Sequence, residues 1–264
     1  MMELRVYHVH AFAAASHGGS PAGVCLHHDE VAEDALRRIA RDLGPSVTAF
    51  LGVGDRSRRA LRWFTREGAE VQSYCGHATF AAAHVLLDDD GAWVDLDTIS
   101  GVRRATRVGQ EIVLEIPAWE AAEEDCPSEV TAAIGHAPST FLRGARDCLL
   151  LYPDAPSIAA LKPDFAAMFA LGDVGFICAA QGEMEGEVVF RFFCPGFNIG
   201  EDEDPATGSA HSTLAPFWLD RLGRNTLITR QLSHRGATFT VAREEGRMTV
   251  AAPCATFLEG IVYI

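Results

Sequence analysis

The chain has 264 residues, room for one large domain or two small ones, and its 48% hydrophobic and 22% charged residues exclude a disordered or collagen-like polypeptide. With 22 basic against 36 acidic residues the formal charge is −14, which excludes nucleic acid and anionic membrane surfaces as partners, since both are bound through their phosphates. No apolar run is long enough to span a bilayer and the first residues lack a signal-peptide pattern, so a cytoplasmic location is expected.

Leu4 to Val9 alternates in hydropathy and reads as a strand. Gly18-Gly19-Ser20-Pro21-Ala22-Gly23 is a turn signal ahead of a second short strand, Val24 to Leu26. Asp34 to Leu43 sets Ala35, Leu36, Ile39, Ala40 and Leu43 at helical spacing, and Gly44-Pro45 ends the run. Strands are expected at Thr48 to Val53, Leu61 to Thr65, Val94 to Leu96 and Glu111 to Ile116. Among them Gly76 to Leu87 is apolar on almost every side, the mark of a buried helix. Pro117 to Pro127, rich in carboxylates, is the expected linker.

Beyond the linker the same grammar returns. Strands are expected at Cys148 to Tyr152, Val174 to Ala179 and Val188 to Phe193. A second apolar helix follows at Thr207 to Leu219, opened by Gly208 and kinked or broken at Pro216. Gly76 and Gly208 stand 132 residues apart, half the chain, which places Cys75 over Thr207 and His77 over Ser209. Ser100 to Val108 matches Ser233 to Val241 at nearly the same offset. This is an internal repeat, and it implies two similar halves, each a sheet wrapped around a helix.

A helix N-terminus presents unpaired N–H groups and a partial positive charge. Two such ends converging on a cleft would hold a small carboxylate in spite of the net charge, and would stabilise the enolate-like charge left when a proton departs from the adjacent carbon. His77 and Ser209 sit at these helix starts and Asp204 lies just upstream of Ser209. A histidine beside a positive helix end favours the neutral form and can exchange protons near pH 7. In the run Glu201-Asp202-Glu203-Asp204 like charges are expected to raise one another's pKa, with Asp204 functional and the other three on the surface. Cys75, just before the first helix, is a second candidate base because that setting favours thiolate. The seven cysteines are scattered singly and, apart from His27-His28 beside Asp29, the ten histidines lack ligand spacing, so no metal site is expected.

Gly19-Ser20-Pro21-Ala22-Gly23-Val24, Cys75-Gly76-His77-Ala78-Thr79 and Glu203-Asp204-Pro205-Ala206-Thr207-Gly208-Ser209-Ala210-His211 resemble, in order, three signatures of the phenazine-biosynthesis (PhzF-like) isomerase family. Trp63-Phe64-Thr65 before Glu70-Val71 and the segment Ser233-His234-Arg235-Gly236 are also similar, so the resemblance covers essentially the whole chain. It implies the α+β diaminopimelate-epimerase-like fold of two pseudo-symmetric halves, each a barrel-like sheet around a central helix. The expected division is 1–118 and 119–255, with a last strand at about 256–264 completing the first half.

The resemblance further implies a homodimer without a cofactor that moves a proton on a small carboxylate-bearing metabolite in the cleft between the halves. His77, Asp204 and Cys75 would be catalytic, and Gly76, Ser209, Gly208, Thr207 and Ser20 would bind substrate. One position departs from the family pattern. The segment Ser46-Val47-Thr48-Ala49-Phe50 carries Val47 where the family places its proton-transferring Glu, and valine cannot carry a proton. The competing readings are a lyase that uses Cys75 as its base, or a protein that only binds a small ligand.

Overall fold

The computed structural model describes residues 2–15, 17–27, 31–52, 54–55, 57–197 and 201–264. Two compact units emerge, Met1–Glu115 with Ala251–Ile264, and Ile116–Val250.

The first unit holds β1 (Glu3–Ala11), β2 (Ser20–Leu26), α1 (Glu33–Leu43), β3 (Val47–Leu51), β4 (Arg58–Thr65), α2 (Gly76–Leu86), β5 (Trp93–Thr98), β6 (Gly101–Val108) and β7 (Glu111–Ile116), with most of β15 (Arg247–Tyr263). Strand pairing runs β1 to β2 antiparallel, β2 to β3 parallel, β3 to β4 antiparallel, β4 to β5 parallel, then β5 to β6 and β6 to β7 antiparallel. β15 neighbours both β7 and β1 and closes these eight strands into a barrel. Closure leaves no edge among them. The parallel β4–β5 pair requires a crossover, and α2 lies in that crossover and packs against β1, β2, β3 and β6. Seven of its eleven residues are buried, which is why its sequence is apolar nearly all round.

The second unit repeats this order with β8 (Ala121–Glu124), α3 (Ser128–Ile134), β9 (Thr140–Gly144), β10 (Asp147–Leu151), α4 (Ala155–Ala159), α5 (Phe165–Phe169), β11 (Gly175–Gln181), β12 (Glu187–Phe193), α6 (His211–Leu222), β13 (Thr226–Gln231) and β14 (Ala237–Glu244). From β9 to β14 the pairing again reads antiparallel, parallel, antiparallel, parallel, antiparallel. The second helix, α6, occupies the second parallel crossover, between β12 and β13, and packs on β10 and β13. The two units are thus pseudo-symmetric, each a sheet wrapped around one helix. No helix among the described residues is long and apolar enough to cross a membrane.

Several expectations need correction. The turn read at Gly18–Gly23 is confined to its first residues, because β2 already begins at Ser20, opposite Ala11. Gly19, directly before β2, has φ +63° and a position where a Cβ would lie 2.0 Å from the Ala11 carbonyl oxygen, so only glycine suits it. The expected linker contains β8, an outermost strand whose exposed Glu123 and Glu124 suit an edge. Val53, the last residue of one expected strand, lies outside the described residues, as do His28 and Asp29.

The second helix starts at His211, three residues after Gly208, and Pro216 does not break it. Residues 208–213 instead form a tighter turn, in which the amides of His211, Ser212 and Thr213 bond to carbonyls three residues back. Pro216 has no N–H for the Ser212 carbonyl, and the Trp119 N–H takes that acceptor at 2.7 Å.

Candidate functional site

In the first unit, Cys75 is the N-cap residue of α2 and Gly76 its first residue. The Cys75 carbonyl accepts the Thr79 hydroxyl at 2.6 Å, which ties the cap to the first helical turn. The Cys75 Sγ lies 3.9 Å from Nδ1 of His77, within reach for a hydrogen bond to sulfur. The other ring nitrogen of His77, Nε2, is buried and has no partner among the described residues. Burial drives the imidazole pKa down to about 4, so His77 is neutral at pH 7. Ser20 is buried at the start of β2. Val47, at the start of β3, is also buried, an apolar side chain inside the unit.

In the second unit, Asp204 is buried with 7% of its surface exposed. Its Oδ1 accepts the Ala206 N–H at 3.1 Å, and its carboxyl also takes a hydrogen bond from Thr207. Burial raises the carboxyl pKa to about 7. The bonds from Ala206 and Thr207 and the positive charge of Arg146 oppose that rise, and Glu201 adds to it. The expected cause, mutual repulsion in the acidic run, is therefore minor. The run also does not lie wholly on the surface, because Glu203 pairs with Arg191 through two 2.8 Å hydrogen bonds.

Gln231 clamps this segment from β13. Its Nε2 donates to the Asp204 carbonyl at 2.6 Å and to Thr207 Oγ1 at 3.2 Å, while its Oε1 accepts the Thr207 N–H at 2.6 Å. Ser233 adds a hydrogen bond to the Pro205 carbonyl.

His211 fixes the turn that follows. Its Nδ1 lies 3.0 Å from the Gly208 carbonyl, an acceptor only, so Nδ1 carries the proton and Nε2 accepts from Thr229 Oγ1 at 2.7 Å. Burial lowers its pKa to about 4, consistent with that neutral tautomer. Across the repeat His211 corresponds to Thr79, and both side chains donate to a carbonyl of the turn that precedes the helix.

The structure therefore joins Cys75 to His77, and Asp204 to Thr207. Ser209 meets a residue that the sequence did not single out. Arg146, between β9 and β10, donates from Nη2 to Ser209 Oγ at 3.2 Å and pairs with the fully buried Asp147 at 2.9 and 2.6 Å. Gly175, opposite Asp147 in the β10–β11 register, leaves space for that carboxylate. Neither Arg146 nor Gln231 stands in a motif, and no local pattern of the sequence marks either. Among the described residues no three His, Cys, Asp or Glu side chains gather as a metal would require.

Comparison with known proteins places these features in context. The family model described as phenazine biosynthesis-like protein matches residues 9–254. An uncharacterized isomerase of Pseudomonas aeruginosa is 35% identical over 98% of both chains. A solved structure of a phenazine biosynthesis protein of the PhzF family from Enterococcus faecalis is 32% identical, with both chains fully covered and a TM-score of 0.90. A predicted epimerase of Pseudomonas aeruginosa, 20% identical over 98% of this chain and 99% of its own, shares the fold with a TM-score of 0.71.

Proposed function

As this chain belongs to the phenazine biosynthesis-like family, we propose that it is a cofactor-independent isomerase that moves a proton on a small carboxylate-bearing metabolite. The observation that carries this reading is Asp204, a buried carboxyl framed by hydrogen bonds that titrates near neutral pH beside the Gly208–Ser209 turn. Such a group is a proton donor and acceptor at the pH where both forms are populated.

In the proposed step one carrier removes a proton from carbon, and the electron pair moves through the conjugated system into the substrate carboxylate. A carrier then delivers a proton to a different carbon and the electrons return, so the product is an isomer. Asp204 and the Cys75–His77 pair are the proposed carriers. The N–H groups at the start of α2 and in the turn before α6 are proposed to stabilise the transient negative charge. Gly76, Thr207, Gly208, Ser209 and Ser20 are the proposed binding residues.

Val47 favours a second reading. Without a carboxylate there, the thiol of Cys75 beside His77 becomes the natural base, and elimination from the substrate becomes an available outcome.

Incubation of a panel of small unsaturated carboxylic acids in heavy water, read by mass spectrometry and NMR, tests the proposal. Deuterium should enter at carbon in at least one acid, and Asp204→Asn should slow it about 10²-fold or more. Loss of a leaving group with deuterium uptake would favour the lyase. Saturable binding without exchange would leave only a ligand-binding protein. The same proposal includes a homodimer, supported by exposed Ile261 and Tyr263, which alternate along β15 and so share one face. Light scattering in solution gives the mass.

A further inference from the structure

At the end of α2 remote from Cys75, the first unit holds a cavity of about 410 Å³, a size typical of small-molecule sites. Leu26, Leu51 and Leu86, the last residues of β2, β3 and α2, line it together with Ile261 of β15. At 1.5 Å per residue, Leu86 lies about 15 Å along the helix from the Cys75–His77 pair. None of the proposed carriers or binding residues lines this cavity, and of its lining only Ile261 belongs to the face proposed for the homodimer.

The charged residues of the wall are Arg5, Arg59 and Glu3, a positive balance in a chain of formal charge −14. Arg59 is held from the loop between β3 and β4. Its Nε donates to the Asp55 carbonyl at 2.9 Å and its Nη1 to the Gly52 carbonyl at 3.1 Å, which fixes the plane of the guanidinium. Nη2 keeps two N–H bonds without a partner among the described residues. The Asp55 carboxylate is turned instead to the Ser57 amide and hydroxyl and to the Arg58 amide. Arg5 is exposed on the same wall.

No Phe, Tyr or Trp lines the cavity, so its apolar surface is branched aliphatic and offers no face for ring stacking. Such a surface suits a flexible alkyl chain, bound through the area it removes from water. We propose that this cavity binds a small alkyl monocarboxylate, with its chain against Leu26, Leu51, Leu86 and Ile261 and its carboxylate on Arg59 Nη2. Arg5 adds to the attraction, and Glu3 disfavours a second anionic group on the ligand. The site is separate from the proposed proton transfer and does not rest on it.

The test uses the full chain with octanoate as probe, octanol as the uncharged control and acetate as the control without a chain. Methyl carbon-13 NMR reports where the probe binds, with the Ile261 and Leu86 signals assigned by their loss in Ile261→Val and Leu86→Met. Octanoate should shift both signals saturably and bind more tightly than octanol, while acetate shifts neither. From butanoate to octanoate the affinity should rise about fourfold per methylene.

Arg59→Gln should weaken octanoate about tenfold or more and leave octanol unchanged. Because Arg59 also holds two loop carbonyls, Leu86→Glu, at a half-buried helix end, decides the matter if that variant does not fold. It should abolish the octanoate response by repulsion. No shift of Ile261 or Leu86 at octanoate concentrations below micelle formation overturns the site. So does equal affinity for octanol, an affinity independent of chain length, or undiminished binding to the charge variant. A response confined to the Ala78 and Thr79 methyls, beside His77, places octanoate at the proposed reaction site and overturns this one. Deuterium exchange tests the isomerase separately, and either result stands without the other.

Discussion

Trp119 and Ser212 are joined by a 2.7 Å hydrogen bond from the backbone N–H of one to the carbonyl of the other. In an uninterrupted helix that carbonyl would accept from residue 216, which here is proline. A strong helix breaker is thereby absorbed into α6, and the substitute donor is the residue whose ring lies against Arg146.

Pro216→Ala restores a helical donor that competes with Trp119. The expected result is faster hydrogen exchange at the Trp119 amide, seen by NMR, and a change in Trp119 fluorescence. Unchanged protection at Trp119 would show that its position does not depend on the proline.

Asp204 links stability to pH. Its folded pKa of about 7 lies above the ordinary value of 3.8, so the folded state holds a proton that the unfolded chain releases first. The stability associated with that proton is fully present below pH 4 and is lost as pH rises through about 7, by up to about 4 kcal/mol. Asp204→Asn should flatten this slope in urea unfolding across pH 4 to 8. The exchange rate of the wild type should show an inflection near pH 7 that the variant lacks.

His211→Phe keeps an aromatic ring beside Phe190 and Phe239 but removes both hydrogen bonds of the imidazole. It leaves the Thr229 hydroxyl buried without its acceptor and takes from the Gly208 carbonyl one of its two donors, the backbone N–H of residue 211 remaining, at a cost of about 1 to 3 kcal/mol. The denaturation midpoint should fall accordingly, and deuterium exchange should slow because the Gly208–Ser209 turn is no longer held.

Val47→Glu places a carboxylate at a site that is 2% exposed. Folding should weaken by about 3 kcal/mol, since the new charge has no partner. If the remaining carriers act as proposed, exchange should nevertheless rise by about 10²-fold, the scale of one added general acid or base. A folded variant with no gain in exchange would indicate that Val47 does not stand where substrate is handled.

Much of the architecture is legible in the amino-acid sequence. The all-round apolar character of Gly76 to Leu87 and its recurrence 132 residues later announced two buried helices in two like halves. Helix starts were read less well. Gly76 opens α2, but Gly208 precedes α6 by a tighter turn, because that turn is held by His211 bonding back to Gly208 and by Gln231 reaching Thr207 from β13. The strand between Pro117 and Pro127 carries no local signal, since an edge strand needs only one partner and tolerates exposed carboxylates.

By itself the sequence determined the repeat, the glycine turns and the chemical types Cys75, His77, Asp204 and Ser209, because each is a property of neighbouring residues or of a fixed spacing. Tertiary structure decided what those groups can do. Asp204 titrates near neutrality through burial and not through the acidic residues beside it in the chain. Arg146 reaches Ser209 across 63 positions, and Gln231 reaches Thr207 across 24. Desolvation and long-range hydrogen bonds exist only once the chain has packed, and a linear pattern of residue types does not encode which distant donor will arrive.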